Sequence, residues 1–159
     1  MLSNIGTTLV VFTLFISFFI INTSFVDLKN TNKLVSKKLY KFSLLQSTFI
    51  IVAFFTLIAS FVVSDFSVIN VFQNSHSTKP LFYKIVGTWG NHEGSLLLWI
   101  NILVIFSYFF LLYNKNSKKN YRLYTLVIQN LLIIGFLVFL FINSNPFSPI
   151  YPVPVEGLG

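Results

Sequence analysis

Four long apolar runs, separated by shorter polar segments, dominate the 159-residue chain. They lie at about residues 2–21, 43–63, 92–113 and 123–142. A helix of about 20 residues is roughly 30 Å long, which is the thickness of the hydrocarbon core of a bilayer. The runs do not alternate apolar and polar positions with period two, so they do not predict the strands of a barrel. The pattern predicts an all-α integral membrane protein with four transmembrane helices in a single membrane domain, residues 1–159.

The composition agrees with a membrane protein and excludes several kinds of site. Hydrophobic residues make up 55% of the chain and charged residues only 9%, which is more apolar surface than one soluble core of this length can bury. The chain has no cysteine, which excludes disulfides, thiolate metal sites and cysteine nucleophiles. The net charge of +7 falls mainly in short loops, so nucleic acid is not an expected partner.

The charges between the runs predict an orientation in the membrane. Residues 27–42 carry five lysines and one aspartate, and residues 114–122 carry three lysines and one arginine, so each segment has a charge of +4. The loop at residues 64–91 is neutral when Glu93 is counted with it, and the tail at residues 143–159 carries −1. Because positive residues stay on the inner side of a membrane, we expect both termini, the long loop and the tail on the outer side.

A polar cluster interrupts the apolar pattern at the third run, in the sequence TWGNHEGSLLLW at residues 88–99. On a helix, Trp89, His92 and Trp99 share one face, because they are spaced by three and seven residues. The asparagine before His92 is a suitable N-cap, and Glu93 is favoured at the positive end of the helix dipole. Two interpretations stay open. The cluster is either a capped helix start with tryptophan anchors, or a site that holds a flat, hydrophobic, anionic ligand against the tryptophans, with His92 as ligand or donor.

The two histidines of the chain, His76 and His92, are the candidate metal ligands. Two imidazoles can hold a haem iron from opposite faces, but no spacing rule links this pair. A zinc site lacks a third good ligand, so no metal site is predicted. The sequence also has no nucleophilic triad, paired carboxylates or phosphate-binding loop, so no catalytic residue is assigned.

Three polar residues, Asn101, Gln129 and Asn130, lie inside the third and fourth runs. They are placed to hydrogen-bond across these two helices, in contacts worth about 0.6–2 kcal/mol, and this interpretation is favoured over the alternative that they bind a ligand. No charged residue lies in the middle of a run, which disfavours an ion path or a self-contained transporter.

From Asp65 onwards the chain resembles the CcmF family, the haem-handling F subunit of the cytochrome c maturation system. The resemblance rests on motifs that occur in the family's order, and it extends into the tail. These motifs are DFSV at Asp65 to Val68, Val71, Asn74-Ser75, Pro80-Leu81, Tyr83-Lys84, WGNHEGSLLLW at Trp89 to Trp99, Asn145 to Phe147, and Pro152 to Gly157.

The resemblance implies a subunit of a haem lyase complex, which takes haem from a carrier protein and attaches it to apocytochrome c on the outer side. It implies haem as the cofactor, with its ligands on a missing segment or a partner chain, and Trp89, His92, Glu93 and Trp99 as candidates for lining the site. His76 stands where the family usually has a small polar residue, so no ligand role is transferred to it. The chain stops where the family continues, so we expect the N-terminal part of a split or truncated member.

The expected partners are the remaining CcmF segments, other cytochrome c maturation subunits, the haem carrier, apocytochrome c and the lipid bilayer. Abundant Phe, Ile, Asn and Lys indicate an AT-rich genome, so we expect the mitochondrial inner membrane, with the bacterial inner membrane as the alternative. The alternative function is a non-catalytic scaffold subunit of a respiratory membrane complex. The connection at residues 65–91 argues against it, because loops of this length tend to be functional.

Overall fold

The computed structural model describes residues 1–30 and 34–159, and in these residues every regular element is a helix. The six helices, in chain order, are α1 (Leu2–Lys29), α2 (Lys37–Val62), α3 (Ile69–Asn74), α4 (Leu81–Gly87), α5 (His92–Tyr113) and α6 (Lys119–Asn143). The helices α1, α2, α5 and α6 are long and apolar enough to cross a membrane. The predicted all-α fold with four candidate transmembrane helices is therefore confirmed for the described part of the chain.

Three of the four long helices extend beyond their apolar runs, whereas α5 has the predicted bounds. α1 continues to Lys29, α2 begins at Lys37 and α6 begins at Lys119. With 28 residues, α1 is about 42 Å long and exceeds the hydrocarbon core of about 30 Å. Hydropathy marks only the apolar part of a helix, whereas the helical backbone hydrogen bonds continue into the polar residues beyond it. Lys33, one of the lysines counted in residues 27–42, lies outside the described residues.

The four long helices form an antiparallel bundle in which α1 and α5 each contact both α2 and α6. One end of the bundle holds the starts of α1 and α5 and the ends of α2 and α6. We call it the cap end, because residues 63–91 and 144–159 pack there. The opposite end, which we call the basic end, carries the lysines around the two short connections. A hydrogen bond from Lys119 Nζ to Asn30 O (2.9 Å) joins the start of α6 to the end of α1 there.

Small residues form most of the face that α1 buries in the bundle. Hydroxyl groups on this face donate to backbone carbonyls one turn earlier, as Ser17 Oγ does to Thr13 O (3.0 Å). The phenylalanines Phe12, Phe15, Phe18, Phe19 and Phe25 of the same helix are all about half exposed. In lipid, large apolar side chains face outward without penalty, and small residues let helix backbones approach closely. The buried set is Ser3, Gly6, Val10, Thr13, Ile16, Ser17, Ile20, Ser24 and Asp27.

A buried polar network crosses the middle of the bundle. Gln46 Nε2 on α2 donates to Ser17 Oγ on α1 (2.7 Å) and to Asn130 Oδ1 on α6 (3.0 Å). None of the three side chains is more than 1% exposed. The network therefore fixes the relative register of three helices through groups that have no water to bond with.

The prediction that the third and fourth spans share hydrogen bonds through Asn101, Gln129 and Asn130 is wrong. Asn101 Nδ2 donates to Leu97 O on its own helix (3.0 Å), and Gln129 Oε1 has no partner among the described residues. Asn130 faces the bundle centre, where Gln46 meets it. This pairing depends on how the packed helices are rotated and aligned relative to one another. The residues of a single apolar run do not contain that information.

Candidate functional site

The segment that leaves α2 is held by a tight helix stop and turn. Ser64 has a positive φ of 54°, and the N–H groups of Ser64 and Asp65 donate to Phe61 O (3.2 Å) and Ser60 O (2.9 Å). This pair of bonds is the Schellman pattern, which satisfies the last carbonyls of a helix. Asp65 Oδ1 then accepts from Ser67 N (3.2 Å) and Ser67 Oγ (2.5 Å). The DFSV motif thus turns the chain back over the end of the bundle.

The tail docks on this turned segment. Ile69 N donates to Ser148 O and Ile150 N donates to Ser67 O, both at 2.9 Å, which flank the isolated antiparallel bridge between Val68 and Pro149. The ring of Phe147 is buried against Gly6 of α1, where a β-carbon would overlap it. The segments predicted as a loop at residues 64–91 and a tail at residues 143–159 therefore fold into one cap, apart from Asn143, which ends α6. The cap includes α3 and α4.

A carboxylate secures the far end of the tail to the connection. Glu156 accepts hydrogen bonds from Ser77 Oγ (2.5 Å), Ser77 N (2.9 Å) and Gly157 N (3.0 Å). His76 Nε2 lies 3.8 Å from the same carboxylate. The hydrogen bond from the Ser77 hydroxyl, the one from its N–H and the one from Gly157 lower the pKa of Glu156 from 4.5 to about 2, with a smaller effect from His76. We call these contacts of Glu156 with Ser77, Gly157 and His76 the latch. His76, considered above as a haem ligand, thus lies next to its carboxylate.

The asparagine of the WGNHEG motif joins three elements of the cap. Asn91 Oδ1 accepts from Gly94 N (2.8 Å) and so caps α5, as the sequence predicts. Its Nδ2 donates to Gly87 O at the end of α4 (2.8 Å). Asn70 on α3, only 2% exposed, donates from its Nδ2 to Asn91 Oδ1 (3.0 Å) and to Glu93 Oε2 (3.4 Å). Sequence reasoning missed Asn70, although a lone asparagine in the apolar stretch SVINVF is a usable signal.

The second glycine of the motif is required by packing. A β-carbon at Gly94 would overlap the carbonyl oxygen of Thr88, which is itself fully buried. The turn before α5 therefore passes directly over the first turn of the helix. No residue with a side chain fits there without a shift of backbone.

Trp89 and His92 do not share a helix face, contrary to the prediction. α5 begins at His92, so Trp89 lies in the preceding turn, where its ring stacks on Phe54 of α2 with centroids 6.3 Å apart. The rings of His92 and of Phe139 on α6 are nearly perpendicular, with centroids 6.5 Å apart. The turn between α4 and α5 sends the two side chains to opposite neighbours of α5.

His92 lies beside an apolar groove on the outer side of α5 and α6. The groove has a volume of about 420 Å³, and its walls include Leu96, Gly135 and Phe139. Trp99, which is 63% exposed, lies further along α5. Of the four predicted site residues, the structure thus leaves His92 and Trp99 outward-facing on α5, ties Glu93 to Asn70, and places Trp89 against α2.

The described residues place one exposed imidazole beside an apolar groove. They contain no group of three or more His, Cys, Asp or Glu side chains that could hold a metal. His76, the other histidine, lies 3.8 Å from Glu156, and its Nδ1 lies 2.9 Å from Thr78 Oγ1. A haem held at this position would therefore need further ligands from another segment or chain.

No family model matches the chain, but individual relatives do. It is 48% identical over 111 residues to the cytochrome c-type biogenesis protein CycK of Rhizobium meliloti (strain 1021), a match that covers 69% of this chain and 16% of that protein. It is 38% identical over 106 residues to the cytochrome c-type biogenesis protein CcmF of Escherichia coli (strain K12), with coverage of 66% and 16%. The chain thus spans about a sixth of the length of these relatives.

A solved structure has the same fold. The chain of cytochrome c heme lyase CcmF superimposes with a TM-score of 0.82 over 93% of this chain and 25% of that chain. The sequence identity is 20%, so this likeness shows the fold alone.

Proposed function

We propose, since this chain belongs to the CcmF family of cytochrome c-type biogenesis proteins, that it is the N-terminal subunit of a cytochrome c haem lyase complex. In that role it helps to form the outer-face site at which haem is delivered and attached to apocytochrome c. Haem is the cargo of the complex. The chain works within the assembly and not alone.

The observation that supports this proposal is that the fold uses only some residues of the WGNHEG motif. The fold uses Asn91 as a cap and Gly94 as a close contact. His92 is exposed, and its side chain makes no hydrogen bond to any described residue. An exposed imidazole that the fold does not use, next to an apolar groove, is suited to meet a partner or ligand.

In the proposed site, His92 donates a hydrogen bond to a carboxylate of the porphyrin or orients the partner that carries it. The groove wall at Leu96 and Phe139 supports an apolar ring edge. Trp99 is exposed for stacking, and Trp89 acts as an interfacial anchor against α2. Glu93, held by Asn70, places a carboxylate at the start of α5.

The proposed location is the mitochondrial inner membrane, with the bacterial inner membrane as the alternative, since the relatives above are bacterial. The basic end faces the matrix or cytoplasm, in keeping with the positive-inside rule. The cap end then faces the intermembrane space or periplasm. The proposed partners are the remaining CcmF segments, other maturation subunits, the haem carrier and apocytochrome c.

Changing His92 to Ala tests the proposal directly. We expect holocytochrome c to fall at least tenfold, because the loss of one well-placed hydrogen bond to a charged group costs about 1.5–3 kcal/mol. The measurement is the haem-stained cytochrome c of cells that express the variant, normalised to the amount of this chain in the membrane.

The matched control is His76→Ala, which removes the other histidine of the cap while Ser77 still binds Glu156. It should leave holocytochrome c near the wild-type amount. Normal cytochrome c in the His92 variant, at normal membrane levels, would remove His92 from the mechanism.

The alternative of a scaffold subunit in a respiratory complex gains no support from the comparisons, because the named relatives are cytochrome c-type biogenesis proteins. Co-purification separates the two proposals. A haem lyase subunit brings down other CcmF segments or maturation subunits, whereas a scaffold brings down respiratory subunits.

A further inference from the structure

A cavity of about 660 Å³ opens at the basic end, where α1 ends and α2 begins. Its charged lining residues are Lys37, Lys115, Arg122 and Asp27. Three cations against one carboxylate leave a net charge of +2 on the walls. Nothing in the proposed role of the cap end uses this cavity.

Arg122 is the fixed cation of the cavity. It is only 4% exposed, and its Nη2 donates to Tyr40 Oη and to Leu111 O, both at 2.7 Å. Its guanidinium carbon lies 5.9 Å from the centre of the Tyr40 ring. These partners hold the side chain in place, but they are all neutral.

The charge of Arg122 has no counter-ion in the part of the chain that the structure describes. Among the described residues, the contact within 4 Å between a basic and an acidic side chain is His76–Glu156, an ion pair only when His76 is protonated, and it lies at the other end of the bundle. Asp27, the carboxylate of the cavity, accepts from Ser36 N (2.8 Å). Arg122 Nε is buried and has no hydrogen-bond partner. A buried guanidinium without a counter-ion is costly, so an anion in the cavity would offset that cost.

We propose that this cavity binds a phosphate group, carried either by an anionic phospholipid or by a soluble phosphate compound. Arginine and lysine together are the usual protein partners of phosphate, arginine through its planar fork and lysine as a point charge. The volume lies within the range of small-ligand pockets, which is about 300–1,000 Å³. Leu34, on the rim and 83% exposed, gives the cavity an apolar edge next to its cationic walls.

The test uses two double variants that remove the same charge from the same end of the bundle. Lys37→Gln with Lys115→Gln removes the exposed cations that line the cavity. Lys38→Gln with Lys41→Gln removes two exposed cations of α2 that do not line it. Arg122 is left unchanged, because its burial makes a folding defect the expected result of any substitution.

The 159-residue chain and both double variants are purified in a neutral detergent, and bound lipid is counted by native mass spectrometry. Phosphatidylglycerol and phosphatidylcholine are offered at equal concentration, and inorganic phosphate is added as a competitor. We expect the wild type and the Lys38/Lys41 variant to retain one phosphatidylglycerol, and the Lys37/Lys115 variant to bind it about tenfold more weakly.

The two sources of phosphate give different results. A lipid site retains phosphatidylglycerol at millimolar inorganic phosphate. A site for a soluble compound shows no lipid preference, but inorganic phosphate raises the melting temperature of the wild type and not of the Lys37/Lys115 variant. Equal losses in both double variants, or no response to either probe, would overturn the proposal, because diffuse charge attraction would then explain any binding.

Discussion

At the scale of single residues, some members of the WGNHEG motif are needed for folding contacts, whereas others have exposed side chains that the fold does not use. Asn91 and Gly94 are explained by the start of α5. Asn91 supplies the N-cap, and Gly94 leaves space for the backbone carbonyl of Thr88. Asn70 explains the position of Glu93. His92 and Trp99 have exposed side chains that these contacts do not explain. Substitutions at His92 and Trp99 are therefore expected to affect function. Substitutions at Asn91 and Gly94 are expected to affect folding.

Gly94→Ala tests the structural half of this division. The added β-carbon would overlap the Thr88 carbonyl, so the variant should lose about 1–3 kcal/mol of stability through overpacking. Thermal unfolding in detergent gives the change. Gly135→Ala is the matched control, because nothing lies within 4 Å of its added β-carbon and alanine favours a helix by roughly 0.5–1 kcal/mol. An equal effect of the two changes would show that Thr88 does not pack as described.

At the scale of elements, the cap is built from segments that the sequence shows only as gaps between apolar runs. α3 and α4 have six and seven residues, too short to produce a reliable periodic pattern. The tail has no regular structure of its own, and it is ordered by pairing with residues 67–69 and by the Glu156 latch. A substitution that reverses the charge at position 156 would therefore release the tail without affecting the membrane helices.

The latch makes a pH prediction. The pKa of Glu156 is lowered from 4.5 to about 2, so its contribution to tail docking is complete above pH 4.5 and is lost as the pH falls toward 2. Carboxyl carbon NMR of labelled glutamate measures the pKa directly, since Glu93 is the only other glutamate. Ser77→Ala should raise the value strongly, because the Ser77 hydroxyl is the largest cause of the shift. His76→Ala should raise it only slightly, and a reversed ranking would contradict the latch.

At the scale of the whole molecule, basic residues and cap segments lie at opposite ends of one bundle. Lysines flank both short connections at the basic end, while the carboxylates Asp65, Glu93 and Glu156 all lie at the cap end. This polarity supports the proposed orientation, with the basic end on the inner side. It also separates the phosphate cavity from the candidate haem-handling face by the length of the helices.

The absence of cysteine makes the orientation simple to measure. Val155→Cys places a thiol on the tail, where the native side chain is 97% exposed, and Lys118→Cys places one on the exposed basic end. A maleimide that cannot cross membranes, added to the outer side, should label the Val155 variant and leave the Lys118 variant unlabelled. Both should react after the membrane is dissolved, and labelling of Lys118→Cys in intact membranes would reverse the orientation.

The sequence alone was sufficient for the number and kind of spans. Hydropathy reports how favourably a run of residues transfers into lipid, and this depends only on the residues of that run. The Asn91 cap was equally readable, since capping depends on residues three apart. The order of the motifs along the chain was also sufficient to indicate the family. These features are local, or they depend on one-dimensional order.

Tertiary structure decided which polar residues meet and which motif residues stay free. The Gln46–Asn130 bond, the Asn70 contact to Asn91 and the docking of Phe147 on Gly6 join residues 21 to 141 positions apart. Each depends on the relative rotation and register of elements, which arise only when the bundle packs. The same packing sent Trp89 to α2 and left His92 outside, so the division between structural and available residues is a property of the fold.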